Sequence, residues 1–180
     1  VEATVDGYAQ EATQSARQAL QPLMLAYGFD VVETAEGLRF RPRASRPVAS
    51  LSRDDCVEVD AGAGEPLAFT RSDVDAGPAA VRLGYVAADG AYEAAAAETR
   101  AAIGDVRHVE GAELPLALSA DAADEIAARW LREAAAARTS ARFALPPSAL
   151  AIEPGDVALL DDGAGSAPYR IERIVDEGAR

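Results

Sequence analysis

Lysine is absent from this 180-residue chain: all 17 basic residues are arginine, set against 30 acidic residues for a formal net charge of −13. Such a chain repels nucleic acid as a whole and has no basic cluster able to displace phosphate counterions, which argues against sequence-specific DNA binding. Cys56 is the single cysteine, so an internal disulfide is excluded and no cysteine cluster exists to ligate zinc or an iron–sulfur group. No apolar run approaches the roughly 20 residues that span a bilayer, and no basic segment followed by a hydrophobic core opens the chain as a signal peptide would. Only 6% of residues are aromatic, and the tyrosines are scattered.

What is present suits a folded body with little chemistry. At 49% hydrophobic residues the chain can bury a core in one domain or in two small subdomains. It opens at Val1 without a methionine and ends at Arg180 without an obvious stop, so it reads as a piece of a longer polypeptide.

The periodicities sort the chain into elements. Ala16, Ala19, Leu20, Leu23, Met24 and Tyr27 recur at helical spacing, Ser15 with Gln18 resembles a capping box, and Gly28 can close the helix. Pro22 inside this pattern predicts a kink or a break, because an interior proline loses a hydrogen bond and clashes with the preceding turn. Phe29–Glu33 and Leu38–Arg41 flank Ala35-Glu36-Gly37 and read as a β-hairpin. Prolines and small polar residues from Pro42 to Pro47 then predict a subdomain boundary near residue 45.

Between Val48 and Leu118 the helical period disappears in favour of short runs such as VASL, CVEV, PLAFT, AVRLGYVA and LPLAL, divided by glycine, proline and aspartate. Val81, Leu83, Tyr85 and Ala87 alternate with Arg82 and Gly84, and Asp89-Gly90 is a hairpin signal leading into Tyr92. The second arm of that hairpin includes Ala94–Ala97, a run whose intrinsic preference is helix. The clearest element is a helix over 120–138, with Ala123, Ile126, Ala127, Trp130, Leu131 and Ala134 on one face and its acids near the start. Trp130 is expected to anchor the core there, so that Trp130→Ala costs about 3 to 5 kcal/mol. Glu153-Pro154-Gly155-Asp156 fits a type II turn, since proline presets the second position and glycine supplies the positive φ of the third.

A search for chemistry leaves little. His108, the only histidine, sits in Val106-Arg107-His108-Val109, which reads as a strand, and no G-x-S-x-G nucleophile motif accompanies it. Asp54-Asp55 precede Cys56 and would raise its thiol pKa, so a small buried role is expected for that residue. Asp54-Asp55 and Asp161-Asp162 are acidic pairs, but adjacent carboxylates in a loop do not make the opposed pair of a glycosidase. The glycine-rich runs Asp60–Glu65 and Asp161–Gly165 match neither an EF-hand, a Walker A loop nor a dinucleotide fingerprint, and read as loop tips. The expected catalytic, cofactor-binding and metal-ligating sets are therefore empty, and no enzyme activity is expected.

Two stretches carry a family likeness: SARQALQPLMLAYGFDVVETAEGLRFRPR, and VRLGYVAADGAYEAAAAETR through ELPLAL, the Trp130 helix and RFALPPSALAIEPGDVALL. They resemble the hub or tail-tip proteins of long-tailed bacteriophages, above all the large tail-hub protein of bacterial gene transfer agents, of which this chain resembles a fragment. The resemblance implies a virion structural part made in the bacterial cytoplasm: a homotrimeric ring capping the tail tube, in contact with the tube and other tail-tip proteins, through which DNA passes. An acidic wall is compatible with that passage, because a surface that repels the polymer does not hold it. The implied fold is α+β, with a short-stranded, β-barrel-like hub domain similar to the tube subunit, two amphipathic helices and a small helix-hairpin subdomain. Residues 1–45 would be that subdomain, and residues 46–180 the β-rich hub domain containing the 120–138 helix. RFALPP, the PGDV turn and YRIERIV would belong to its barrel-building section. The resemblance supplies no catalytic residue, cofactor or metal. Two other classes stay open, a carbohydrate- or receptor-binding β module and a non-catalytic accessory domain of a cell-wall hydrolase.

Overall fold

The structure, a computed structural model, describes residues 4–10, 12–34, 37–43, 46–57, 65–73, 77–101, 108–149, 151–161, 163 and 165–175. In chain order the elements are α1 (Ala16–Tyr27), β1 (Phe29–Thr34), β2 (Gly37–Pro42), β3 (Ala49–Leu51), β4 (Leu67–Arg71), β5 (Ala80–Ala87), β6 (Ala94–Arg100), β7 (Val109–Leu118), α2 (Ala120–Ala136), β8 (Thr139–Phe143), β9 (Val157–Asp161) and β10 (Ser166–Arg170). Short 3-10 turns occupy Arg53–Asp55 and Pro147–Ala149. Among the described residues the fold is mixed α and β, with two helices and several small sheets.

The chain forms two compact units, one of Val1–Gly28 with Arg71–Arg138, the other of Phe29–Thr70 with Thr139–Arg180. This partition differs from a boundary near residue 45. The helix and hairpin expected to form one subdomain separate at Gly28, because Ala26 belongs to the core of the first unit while the hairpin's arginines pair with acids of the second. The proline-rich stretch ends a hairpin locally, and β3 just beyond it pairs within the same unit.

In the first unit β5 is the centre of a three-stranded sheet, antiparallel to β6 and parallel to β7. Its odd positions Val81, Leu83 and Tyr85 are buried with Leu114, Leu116 and Leu118 of β7 and Ala123, Ile126 and Ala127 of α2. The other face is only partly solvated: Arg82 is exposed, but Ala80 and Gly84 are buried as well, as befits a central strand. β6 is a strand although its alanines favour helix. Pairing with β5 and packing against α2 outweigh a preference that amounts to tenths of a kcal/mol per residue, and Ala97 is small enough to lie buried in that core. β7 carries two extra residues against β5 between Gly84 and Val86, and Pro115 falls in this bulge. The outer edge of β7 is bridged by Tyr8 opposite Leu116, with Ala9 N–H donating to the Pro115 carbonyl at 2.8 Å.

Both helices begin as their sequences predict. The Ser15 side chain accepts from the Gln18 N–H while Gln18 Oε1 accepts from the Ser15 N–H at 3.0 Å, and Gly28 ends α1 at φ +63°. α1 runs unbroken through Pro22, at the cost of the hydrogen bond to the exposed first turn that proline cannot donate. Ser119 caps α2 at the Ala122 N–H, and Asp89 of the β5–β6 connection accepts from the Ala120 N–H at 3.1 Å. Arg129 of α2 donates to the carbonyls of Leu25 and Ala26, satisfying acceptors that the end of α1 leaves without helical partners. Trp130 lies on the apolar stripe but is only half-buried at the margin of the core. Its truncation is therefore expected to cost about 2 kcal/mol, below the range for a fully buried tryptophan. Urea denaturation of Trp130→Ala checks this.

In the second unit β9 is central, antiparallel to β10 and parallel to β3, and β4 pairs with β8. Leu51, Leu67, Ala158 and Leu160 are buried there, with Phe143, Ile152 and Tyr169 packed against them. Among the described residues no sheet closes into the barrel expected from the sequence. Closure requires every strand to have two neighbours, and each of the four sheets contains only two or three strands and ends in open edges.

Candidate functional site

The residues with reactive side chains are built into local structure. Asp55 closes the 3-10 turn Arg53–Asp55: its carboxylate accepts from the Ser52 N–H and Oγ, both at 2.8 Å. These bonds, the backbone one foremost, hold its pKa below the ordinary carboxylate value. That is the opposite of what a general acid needs. The spacing Ser52-x-x-Asp55 is a capping signature legible in the sequence, and it explains half of this acidic pair.

Cys56 follows as the cap of the same turn, with its Sγ 3.4 Å from the Ser52 carbonyl it donates to. Burial first, and the Asp55 charge second, push its thiol pKa up, so the group stays protonated at neutral pH. Its folded pKa being raised, deprotonation is displaced to higher pH. At pH 8 Cys56 should react with iodoacetamide more slowly than a free thiol, and in urea the difference should vanish. Reaction as fast as the free thiol would show that the site does not shield it.

His108 is exposed and precedes β7; its carbonyl accepts from the Ala79 N–H at 2.9 Å, while Val106 and Arg107 lie outside the described residues. Asp161 begins a turn by accepting from the Gly163 N–H at 2.8 Å. Asp162, Ala164 and most of the Asp60–Glu65 loop lie outside the described residues. A shallow cavity of about 440 Å³ in the second unit brings Asp54 and Asp161, one from each acidic pair, to a common wall with Ser52, Phe69 and the Arg53–Glu65 ion pair. Neither histidine nor cysteine lines it. Among the described residues no group of three or more histidine, cysteine or acidic side chains is placed to hold a metal, and no helix is long and apolar enough to cross a membrane.

The most organised polar constellation joins the β1–β2 hairpin to the turn at Glu153–Asp156. The turn is type II in its essentials: the Asp156 N–H donates to the Glu153 carbonyl at 3.1 Å, and Gly155 has φ +89°. Gly155 N–H donates to the Ile171 carbonyl at 2.7 Å and Ile171 N–H to the Asp156 carbonyl at 2.8 Å, which ties the turn to the segment after β10. Over it lies Arg41, whose two terminal nitrogens pair with Glu153 and Asp156, while Arg39 reaches Glu153 at 3.1 Å. Arg43 and Arg170 share Asp30 at 3.0 and 3.7 Å. No local pattern announces the pairs of Arg39 and Arg41, whose partners are more than 110 positions away. The arrangement has no nucleophile and no proton acceptor poised over a cavity; it is an ion-pair clamp.

A family model described as "Putative phage tail protein" matches residues 15–174. The chain belongs to that phage-tail family. Among solved structures, a chain of the "Virion of native gene transfer agent (GTA) particle" is 38% identical with a TM-score of 0.88, over 97% of this chain and 39% of that one. This phage-tail chain thus spans about two-fifths of the virion chain it matches. None of the curated proteins compared with it matches.

Proposed function

We propose that the chain is a structural, non-enzymatic part of the tail of a phage-like particle, located in the virion at the hub or tail tip. There it caps the tail tube together with copies of itself, as a homotrimeric ring, contacts the tube and other tail-tip proteins, and helps form the conduit for DNA. The observation that carries this reading is the extent of the likeness: nearly the whole chain superposes on part of a virion chain at a TM-score of 0.88. The family match and the use of the reactive side chains as caps and ion pairs support it. The charge of −13 suits a channel wall that must let DNA slide past.

Immunogold electron microscopy of particles from cells that make this chain tests the reading. Gold at the distal end of tails is expected. Gold on cell envelopes with bare particles would overturn it and favour a receptor-binding module.

A further inference from the structure

The β1–β2 hairpin turns its polar face to its own unit and its apolar face outward. Residues paired across it share a face, so Phe29 and Pro42, Val31 and Phe40, and Glu33 and Leu38 point one way. Asp30, Arg39 and Arg41 point the other, toward the Glu153–Asp156 turn. Leu38 is 60% and Phe40 55% exposed, and Phe40 packs on Phe29 of its own hairpin at 5.8 Å between ring centroids. Among the described residues, neither hydrophobic core includes a side chain from the hairpin. Its docking within the second unit includes the Arg41 fork on Glu153 and Asp156, the Arg39 pair, Arg170 on Asp30, and a narrow contact in which Val32 and the Arg41 stem meet Gly155.

We propose that this hairpin is a latched flap, held against the turn that leads into β9 by ion pairs and released when those charges are screened or competed for. Hydrophobic burial does not respond to salt in this direction, since added sodium chloride screens charges but does not weaken apolar packing. The latch is centred on Arg41 and Asp156, whose side chains are 18% and 14% exposed, so it is stronger than a pair standing in water and weaker than a packed core. An isolated two-stranded hairpin is marginally stable in water, so once released it frays and its cross-strand amides exchange. The same opening would follow from a carboxylate-bearing partner that captures Arg41.

Hydrogen exchange read by mass spectrometry on the full chain tests this, with rates normalised to an unstructured peptide at each salt concentration. Between 0.05 and 1 M sodium chloride, peptides covering β1 and β2 should exchange about tenfold faster, while β5 and β9 change less than about twofold. Arg41→Met, which keeps the stem and removes the charge, should approach the high-salt rate already at low salt and show a much smaller salt dependence, the remainder coming from Arg39 on Glu153 and Arg170 on Asp30. Should Arg41→Met not fold, Glu153→Gln removes one arm of the fork with Arg41 intact and should give a smaller shift of the same sign. Hairpin exchange independent of salt, or acceleration of β9 in step with the hairpin, would overturn the latch.

Discussion

Gly155→Val should destabilise the chain by about 3 to 4 kcal/mol, a fall of roughly 10 °C in Tm. Two terms add. Gly155 has φ +89°, a region that costs a residue with a side chain 1 to 3 kcal/mol and a β-branched one most. A Cβ there would also stand 3.1 Å from Arg41 Cδ and 3.5 Å from Val32 Cγ2, so the hairpin clamped over the turn must shift. Gly155→Ala separates the terms, because alanine carries the φ strain with less crowding and should cost about half as much. Calorimetry and urea denaturation read both. An unchanged midpoint in Gly155→Val would show that the turn does not hold this conformation in solution.

Leu83→Ala should cost about 3 to 4 kcal/mol. Leu83 is 0% exposed at the centre of β5, and its partners across the sheet are Ala97 on β6 and Ala112 on β7. The methyl groups of these alanines cannot swing into the vacated space, while Leu114, Leu116 and Ile126 of the same core can relax toward it only in part, so the cost lies in the middle of the usual range. Leu38→Ala on the hairpin is the control: being 60% exposed, it should shift stability by less than about 0.5 kcal/mol. Equal costs at the two positions, measured by urea denaturation, would contradict the assignment of β5 as the core strand and of the hairpin as outside both cores.

How much of this was legible in the sequence depends on the range of the interaction. Ser15, Gln18 and Gly28 bound α1, Asp89-Gly90 starts the second hairpin and Pro154-Gly155 makes its turn, because each signal acts within four residues. The parallel pairings of β5 with β7 and of β3 with β9 join distant segments, and no local pattern announces them. The same limit explains the interleaved units and the barrel that the described sheets do not form. Trp130 was placed correctly on its stripe, yet periodicity cannot tell the centre of a buried face from its margin. In the candidate site, the acidic pairs were readable as turns, and Ser52-x-x-Asp55 carried a further cue. The Arg41 clamp carried none, since an arginine beside an apolar residue in a strand looks the same whether its partner is water or a carboxylate 115 positions away.

The central claim, that this chain is a tail component arranged around the channel axis, is tested most directly by electron cryomicroscopy of the distal tail of particles carrying it. The account predicts density for both compact units, three copies of each repeated around the axis at the end of the tube. Particles complete to the tail end with no density for the chain, or with the chain bound only to the capsid, would contradict it.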